Sequence, residues 1–194
     1  MLYIFDMGGV VTTTAMIFGE VSKRLGITED EFLKFCGTGT ENDLLLGASN
    51  GVVDAREFWK EFSGRSGIKV TTDWLHYLFH PENIEGTREL IAALKKLGHR
   101  VVCGTNTIDS HYHNHLERGD YAVFDQTYTS CALGVSKPDV RFWKIIMDVE
   151  GVEPENVVFI DDREENVCAA ASLGIKAVKF TTAREVASAL GVAF

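Results

Sequence analysis

The chain has 194 residues, 45% of them hydrophobic and 24% charged, with Lys+Arg 19 against Asp+Glu 28 for a formal net charge of −9. That length suits one domain, or one domain carrying an inserted subdomain, and the composition suits a folded chain with a core. So large an acidic excess excludes non-specific tracking along nucleic acid or an anionic membrane. Any bound anion must therefore be met by local positive charge or a metal. Cys36, Cys103, Cys131 and Cys168 form no CxxC pair and read as reduced, buried residues. With no basic leader ahead of LYIF and no apolar run of membrane-spanning length, the expected location is the cytoplasm.

The first predicted element is a short strand, Leu2 to Asp6, which ends on an acidic residue and passes into Gly8 and Gly9. From Thr14 to His80 the periods are helical. TEDEFLKF opens with a capping box, Thr28 to Glu31. Met16, Phe32, Phe35, Phe58, Trp59, Phe62, Trp74 and Phe79 read as the core of a small helical subdomain, in preference to a cofactor pocket. HPENIEG marks a boundary. TRELIAALKKLG is an amphipathic helix with Leu90, Ile91, Leu94 and Leu97 on one face and Gly98 as its stop. RVVCGTN is then a buried strand, SHYHNHLERG helical, FDQTYTS a short strand, DVRFWKIIMDVEG a helix, NVVFIDD a strand, REENVCAAASLG a helix and KAVKF a strand. TTAREVASAL closes the chain, with a second capping box at Thr182 to Glu185.

Strands alternating with helices predict an α/β fold, a doubly wound parallel sheet with helices on both faces. The expected division is an α/β core over 1–13 and 82–194, with a helical cap over 14–81 inserted after strand one. Ligands of such sheets bind outside the carboxyl ends of the strands. Asp6, Thr105 with Asn106, and Asp161 with Asp162 stand at three such ends, and Lys137 lies in the GVSKPD loop.

A carboxylate, a hydroxyl, an ammonium and a carboxylate pair aimed at one spot suit phosphoryl chemistry. Mg²⁺ takes oxygen ligands, and Asp6 with Asp162 supplies two. The cation, Lys137 and Thr105 offset phosphoryl charge, leaving Asp6 to attack phosphorus. Each residue alone has a plainer explanation; the acidic pair, for instance, also suits a helix N-cap. Their order and strand-end placement carry the argument.

These motifs resemble those of the haloacid dehalogenase-like hydrolases. YIFDMGGVV matches the first, RVVCGTN the second at Thr105, SKPD the third at Lys137, and FIDDREEN the fourth at Asp161 and Asp162. The overall look is similar to that of the small bacterial sugar-phosphate phosphatases of the group. The resemblance implies a Rossmann-like core with a cap and Mg²⁺-dependent hydrolysis of a small phosphorylated metabolite. It implies Asp6 as nucleophile and metal ligand, Gly8 as a backbone metal ligand and Asp162 as a metal ligand. Asp161 becomes a ligand or supporting group, and Thr105, Asn106 and Lys137 hold the phosphoryl group. Response-regulator receivers use similar groups, but there the acidic pair comes first and no long insertion follows strand one.

Gly8 departs from the family pattern, which places a second aspartate there to protonate the leaving alcohol and then activate water. One reading keeps a phosphatase whose leaving group needs little protonation, such as an anomeric sugar phosphate, with Asp161 as the spare water-activating acid. A second is phosphonatase-type C–P hydrolysis, which requires a cap lysine that cannot be singled out among Lys23, Lys34, Lys60 and Lys69. The third is a weakly active or non-catalytic binder of phosphorylated ligands. The chain is expected as a monomer or small homo-oligomer. His111, His113 and His115 are expected on an exposed helix rather than around a metal. GTGTEND reads as a helix junction, and Asp73, Trp74 and His76 are left without an assigned role.

Overall fold

The structure, a computed structural model, describes residues 1–15 and 17–194; Met16 lies outside the described residues. In chain order the elements begin with β1 (Leu2–Phe5), α1 (Phe18–Leu25), α2 (Glu29–Cys36), α3 (Leu44–Ser49), α4 (Ala55–Ser66) and α5 (Trp74–Tyr77). Then come α6 (Thr87–Lys96), β2 (Arg100–Thr105), α7 (Asp109–Glu117), β3 (Gln126–Thr129) and α8 (Ser130–Leu133). The chain ends with α9 (Arg141–Glu150), β4 (Val157–Asp161), α10 (Glu164–Ala171), β5 (Lys176–Lys179) and α11 (Ala183–Leu190).

The five strands form one parallel sheet in the order β3-β2-β1-β4-β5. The doubly wound α/β architecture read from the alternating pattern is therefore present. Side chains alternate across the central strand, as the two-residue pleat requires. Tyr3 and Phe5 enter one core with Leu90, Ile91 and Leu94 of α6 and Val186 and Ala187 of α11. Leu2 and Ile4 enter the other with Phe142, Trp143, Ile146 and Met147 of α9 and Ala170 of α10. After β2 and β3 on one side of β1, the chain crosses to β4 and β5 on the other, so the switch point falls at β1.

Helices α1 to α5 gather a separate apolar core. Ile17, Val21, Phe32, Cys36, Leu44, Phe58, Trp59, Phe62, Leu75 and Phe79 are buried together, with Phe35, Trp74 and Ile108 packed against them. The chain enters and leaves this unit at one crossing, where Thr13 N donates to Glu82 O at 2.7 Å and Glu82 N to Thr13 Oγ1 at 2.9 Å. The box at Thr28 and Glu31 is reciprocal. Asp43, inside the GTGTEND junction, caps α3 by accepting from Leu45 N and Leu46 N.

Several sequence expectations change. Leu97 follows the last turn of α6 and is 61% exposed, so the apolar face of that helix ends at Leu94. Thr182 caps α11, but the Glu185 carboxylate turns to the Thr181 hydroxyl, leaving half a capping box. Of the four free cysteines, Cys168 is exposed and Cys131 half-buried. Helix α7 is not an exposed histidine helix. His111 stacks on Phe79 with ring centroids 3.8 Å apart, and buried His115 bonds Asp120 at 2.9 Å; His113 alone stays at the surface. Among the described residues no helix is long and apolar enough to cross a membrane.

Candidate active site

The sheet register brings the site together. Phe5 lies level with Cys103 of β2 and Ile160 of β4, so the next residue, Asp6, stands between Gly104 and Asp161. Its backbone N–H continues the ladder to Ile160 O at 2.9 Å. Lys137, more than a hundred residues later, reaches the same point from the loop ahead of α9. Its ammonium donates to Asp6 Oδ1 at 2.9 Å, Asp161 Oδ2 at 2.7 Å and Gly104 O at 2.9 Å. An ammonium has three donors, and all three are used. The rings of Phe142 and Phe159 lie beneath it, 5.7 and 5.3 Å from the nitrogen.

Asp161 is fully buried, and its oxygens are occupied. Oδ1 accepts from Arg163 N at 2.9 Å and Asn166 Nδ2 at 3.0 Å, while Oδ2 accepts from Lys137 and, at 3.1 Å, from the same Asn166 nitrogen. With both oxygens so engaged, Asp161 is poorly placed to activate water, and any metal contact it makes must share an oxygen already bonded to Lys137 or Asn166. Asp162 is free of these duties. Helix α10 begins at an N-cap, Arg163, with no side-chain cap, so the pair is not explained as a capping device. Carboxylate oxygens of Asp6, Asp161 and Asp162 lie within 4.8 Å of one another.

Gly9 and Gly8 differ sharply. At Gly9, with φ +81°, an added Cβ would lie 2.4 Å from Asp162 Oδ2, so the carboxylate rests directly on the glycine backbone. At Gly8 the backbone is ordinary, and the only atom among the described residues within 4 Å of an added Cβ is Thr14 Oγ1, at 3.8 Å. The second aspartate of the family pattern is absent from a place with room for its Cβ.

Burial dominates the electrostatics. It pushes Asp6 up to about 6, with Asp161 adding to the rise and Lys137 opposing it. Burial, then Asp161, also raises Asp162. Burial pulls Lys137 down, but Asp6 and Asp161 outweigh it, so the ammonium holds its proton more tightly than a free lysine.

Thr105 ends β2, buried, and its hydroxyl makes only a long 3.4 Å contact with Asn106 O. Asn106 departs from its expected role. Its side chain is locked to the backbone of Lys137, donating to Lys137 O and accepting from Lys137 N, both at 2.8 Å. It braces the lysine loop and does not present its amide to a ligand. Asn166 was missed in the sequence, although its spacing five residues after Asp161 places it in the first turn of α10.

A divalent cation fits what is present: two partly desolvated carboxylates with raised affinity for positive charge, Asp6 and Asp162, beside the open backbone of Gly8.

Comparison with known proteins agrees with this layout. A family model described as haloacid dehalogenase-like hydrolase matches residues 1–174. A sesquiterpene phosphatase of Aspergillus oryzae is 25% identical over 92% of this chain and 88% of its own length. A phosphorylated carbohydrates phosphatase of Thermotoga maritima is 26% identical over 90% of this chain and 82% of its own. The chain spans only 13% and 19% of two much longer relatives, a drimenol cyclase and an acyl-CoA dehydrogenase family member. A haloacid dehalogenase family enzyme of Bacteroides thetaiotaomicron, solved with magnesium and inorganic phosphate, superposes with a TM-score of 0.73 at 23% identity, over 93% of this chain and 94% of that one. The chain belongs to the haloacid dehalogenase-like hydrolases.

Proposed function

We propose that the protein hydrolyses a small phosphate monoester with an activated leaving group, through an aspartyl-phosphate on Asp6, with helices α1 to α5 acting as a cap. The observation that carries this reading is the buried Asp6–Lys137–Asp161 cluster on the carboxyl edge of the central strand, with Asp162 beside it. A pure binding site has no need of a buried carboxylate pinned by an ammonium. Phosphatases among the relatives support the reaction class, and the two with near-full coverage differ in their named substrates, which leaves the leaving group open.

In this reading Lys137 holds one oxygen of Asp6 and fixes the carboxylate, so the other oxygen attacks phosphorus. The ester P–O bond breaks, and its electron pair leaves with the alcohol oxygen. Water then attacks the phosphorus of the aspartyl-phosphate, releasing inorganic phosphate and Asp6. Asp6, Asp162 and the Gly8 carbonyl would hold Mg²⁺, which when bound supplies positive charge to the phosphoryl oxygens. Thr105, whose hydroxyl proton is held only by a long 3.4 Å contact to Asn106 O, turns to donate to the phosphoryl group. Asp161 orients Lys137, and Asn106 holds its loop. Gly8 offers no proton to the departing oxygen, which restricts efficient turnover to alcohols that leave readily as anions, an anomeric sugar phosphate among them.

The test is phosphate release from p-nitrophenyl phosphate with Mg²⁺, compared with Asp6→Asn and with EDTA. Release that both treatments abolish supports the reading. No release under any condition, with inorganic phosphate still bound, would leave a weakly active or non-catalytic phospho-ligand binder, the alternative that Gly8 favours.

A further inference from the structure

Besides the Thr13–Glu82 crossing and the packing of Phe79 and His76 against α7, the helical unit meets the sheet domain at the turn that follows α3, and this contact lands one residue from Lys137. Ser136 Oγ donates to Asn50 Oδ1 at 2.6 Å. With that proton committed, Ser136 accepts from the Ser49 hydroxyl, 3.0 Å away. Ser49 Oγ also lies 3.4 Å from Ser130 Oγ. Ser130 in turn accepts from Thr107 N at 3.0 Å and donates to Thr107 O at 3.2 Å. Thr107 adjoins Asn106, whose side chain grips both backbone polar groups of Lys137. The turn of the helical unit is thus joined to the lysine loop twice, directly at Ser136 and through Ser130, Thr107 and Asn106.

The fit is close as well as polar. A Cβ at Gly51, where φ is +66°, would lie 1.9 Å from Cys131 O. The turn therefore lies backbone to backbone on α8, with no space for a side chain between them.

We propose that Ser49, Asn50, Gly51 and Ser136 are positioning residues: docking of this turn completes the frame that holds Lys137 in register with Asp6, so the lysine is fully placed only when the helical unit is seated. The inference rests on the reading of Lys137 as part of a phosphoryl-transfer site. It extends that reading by making one named contact report closure to the catalytic lysine. Substrate entry, which requires the unit to lift, would loosen the lysine loop. Closure would restore it.

The experiment pairs kinetics with a readout independent of turnover, amide hydrogen exchange across 47–53, 104–107 and 135–139. Gly51→Ala wedges the turn away from Cys131, and Asn50→Leu removes the acceptor of Ser136. Each is expected to speed exchange at both 47–53 and 135–139 by about fivefold to tenfold, the worth of one neutral hydrogen bond. On p-nitrophenyl phosphate kcat should fall by a similar factor while KM stays within about twofold. Asn50→Asp keeps the acceptor oxygen and should restore wild-type exchange at 135–139. The proposal is overturned if Gly51→Ala and Asn50→Leu speed exchange at 47–53 but leave 135–139 unchanged, or if Asn50→Asp behaves as Asn50→Leu. If the phosphatase reading itself fails, no variant and not even the wild type turns over, yet the exchange comparison still decides the coupling. Ser49→Ala is a milder substitute should the wedge variant fold poorly.

Discussion

Replacing Gly8 by aspartate would restore the proton donor that the family pattern places two residues after the nucleophile. The site admits it. Gly8 is not in the left-handed region, and its added Cβ meets Thr14 Oγ1 at an ordinary 3.8 Å. General acid–base help is worth about 10²–10⁴-fold, roughly 3–5 kcal/mol of barrier. How much of that is recovered depends on the alcohol. A p-nitrophenolate departs as a stable anion and has little use for a proton, whereas an alkyl alkoxide needs one. Gly8→Asp is therefore expected to raise kcat/KM on an alkyl phosphate by about 10²-fold or more, and on p-nitrophenyl phosphate by no more than about tenfold. Gly8→Asn has similar bulk without the acid and should improve neither. The assay is initial-rate phosphate release from the two esters by all three proteins at saturating Mg²⁺. Equal gains on both esters, or a gain with Gly8→Asn, would show that the leaving group is not what Gly8 restricts.

Gly9→Ala should cost more than Gly8→Ala, because its Cβ would displace Asp162, 2.4 Å away, where Gly8 has room; the readout is Mg²⁺ affinity by calorimetry, and equal affinities would count against Asp162 as a ligand. Asp161→Asn removes an ionic partner of Lys137 and should slow both formation and breakdown of the aspartyl-phosphate in rapid-quench experiments; slowing of breakdown alone would return Asp161 to the role of water activator. His111 is held neutral, its pKa pulled down from 6.5 to about 3 by burial and then by His115 and His76. An imidazole that protonates near 6.5 when unfolded but near 3 when folded contributes fully above pH 6.5 and loses that contribution as pH falls towards 3. Relative to His111→Phe, the wild type should then lose about 1.4 kcal/mol per pH unit below 6.5 in urea titrations, and parallel curves would refute this.

What could be read in the sequence was whatever has a local period or a strand-end position. The alternation of strands and helices, the Thr28–Glu31 box and the aromatic spacing of α4 depend on near neighbours, so they were legible. Asp6, Lys137 and Asp162 were legible as candidates because strand ends and one loop limit where polar residues can meet. The division of labour among them was not. Asn106 and Asp161 look like ligand-facing groups in one dimension. Only the three-dimensional fold shows that Asn106 is spent on the backbone of Lys137 and Asp161 on Lys137, Arg163 and Asn166. The burial of α7 was likewise invisible, since it depends on Phe79 arriving from the far end of the helical unit to stack on His111.

The charge balance of the site explains how so acidic a chain can serve a dianionic ligand. Three carboxylates converge and one ammonium sits among them, so the described groups leave two negative charges uncompensated when all are ionised. The protein eases part of that imbalance by raising the pKa of Asp6 and Asp162, and the rest is an attraction for a doubly charged cation. Neutralised in that way, the pocket would no longer repel phosphate, and the chain's overall net charge of −9, part of which is the site itself, would not forbid binding. Substrate affinity should then require the metal more strictly than it requires Thr105. Phosphate binding without Mg²⁺ that is as tight as binding with it would contradict the charge argument, whatever the turnover.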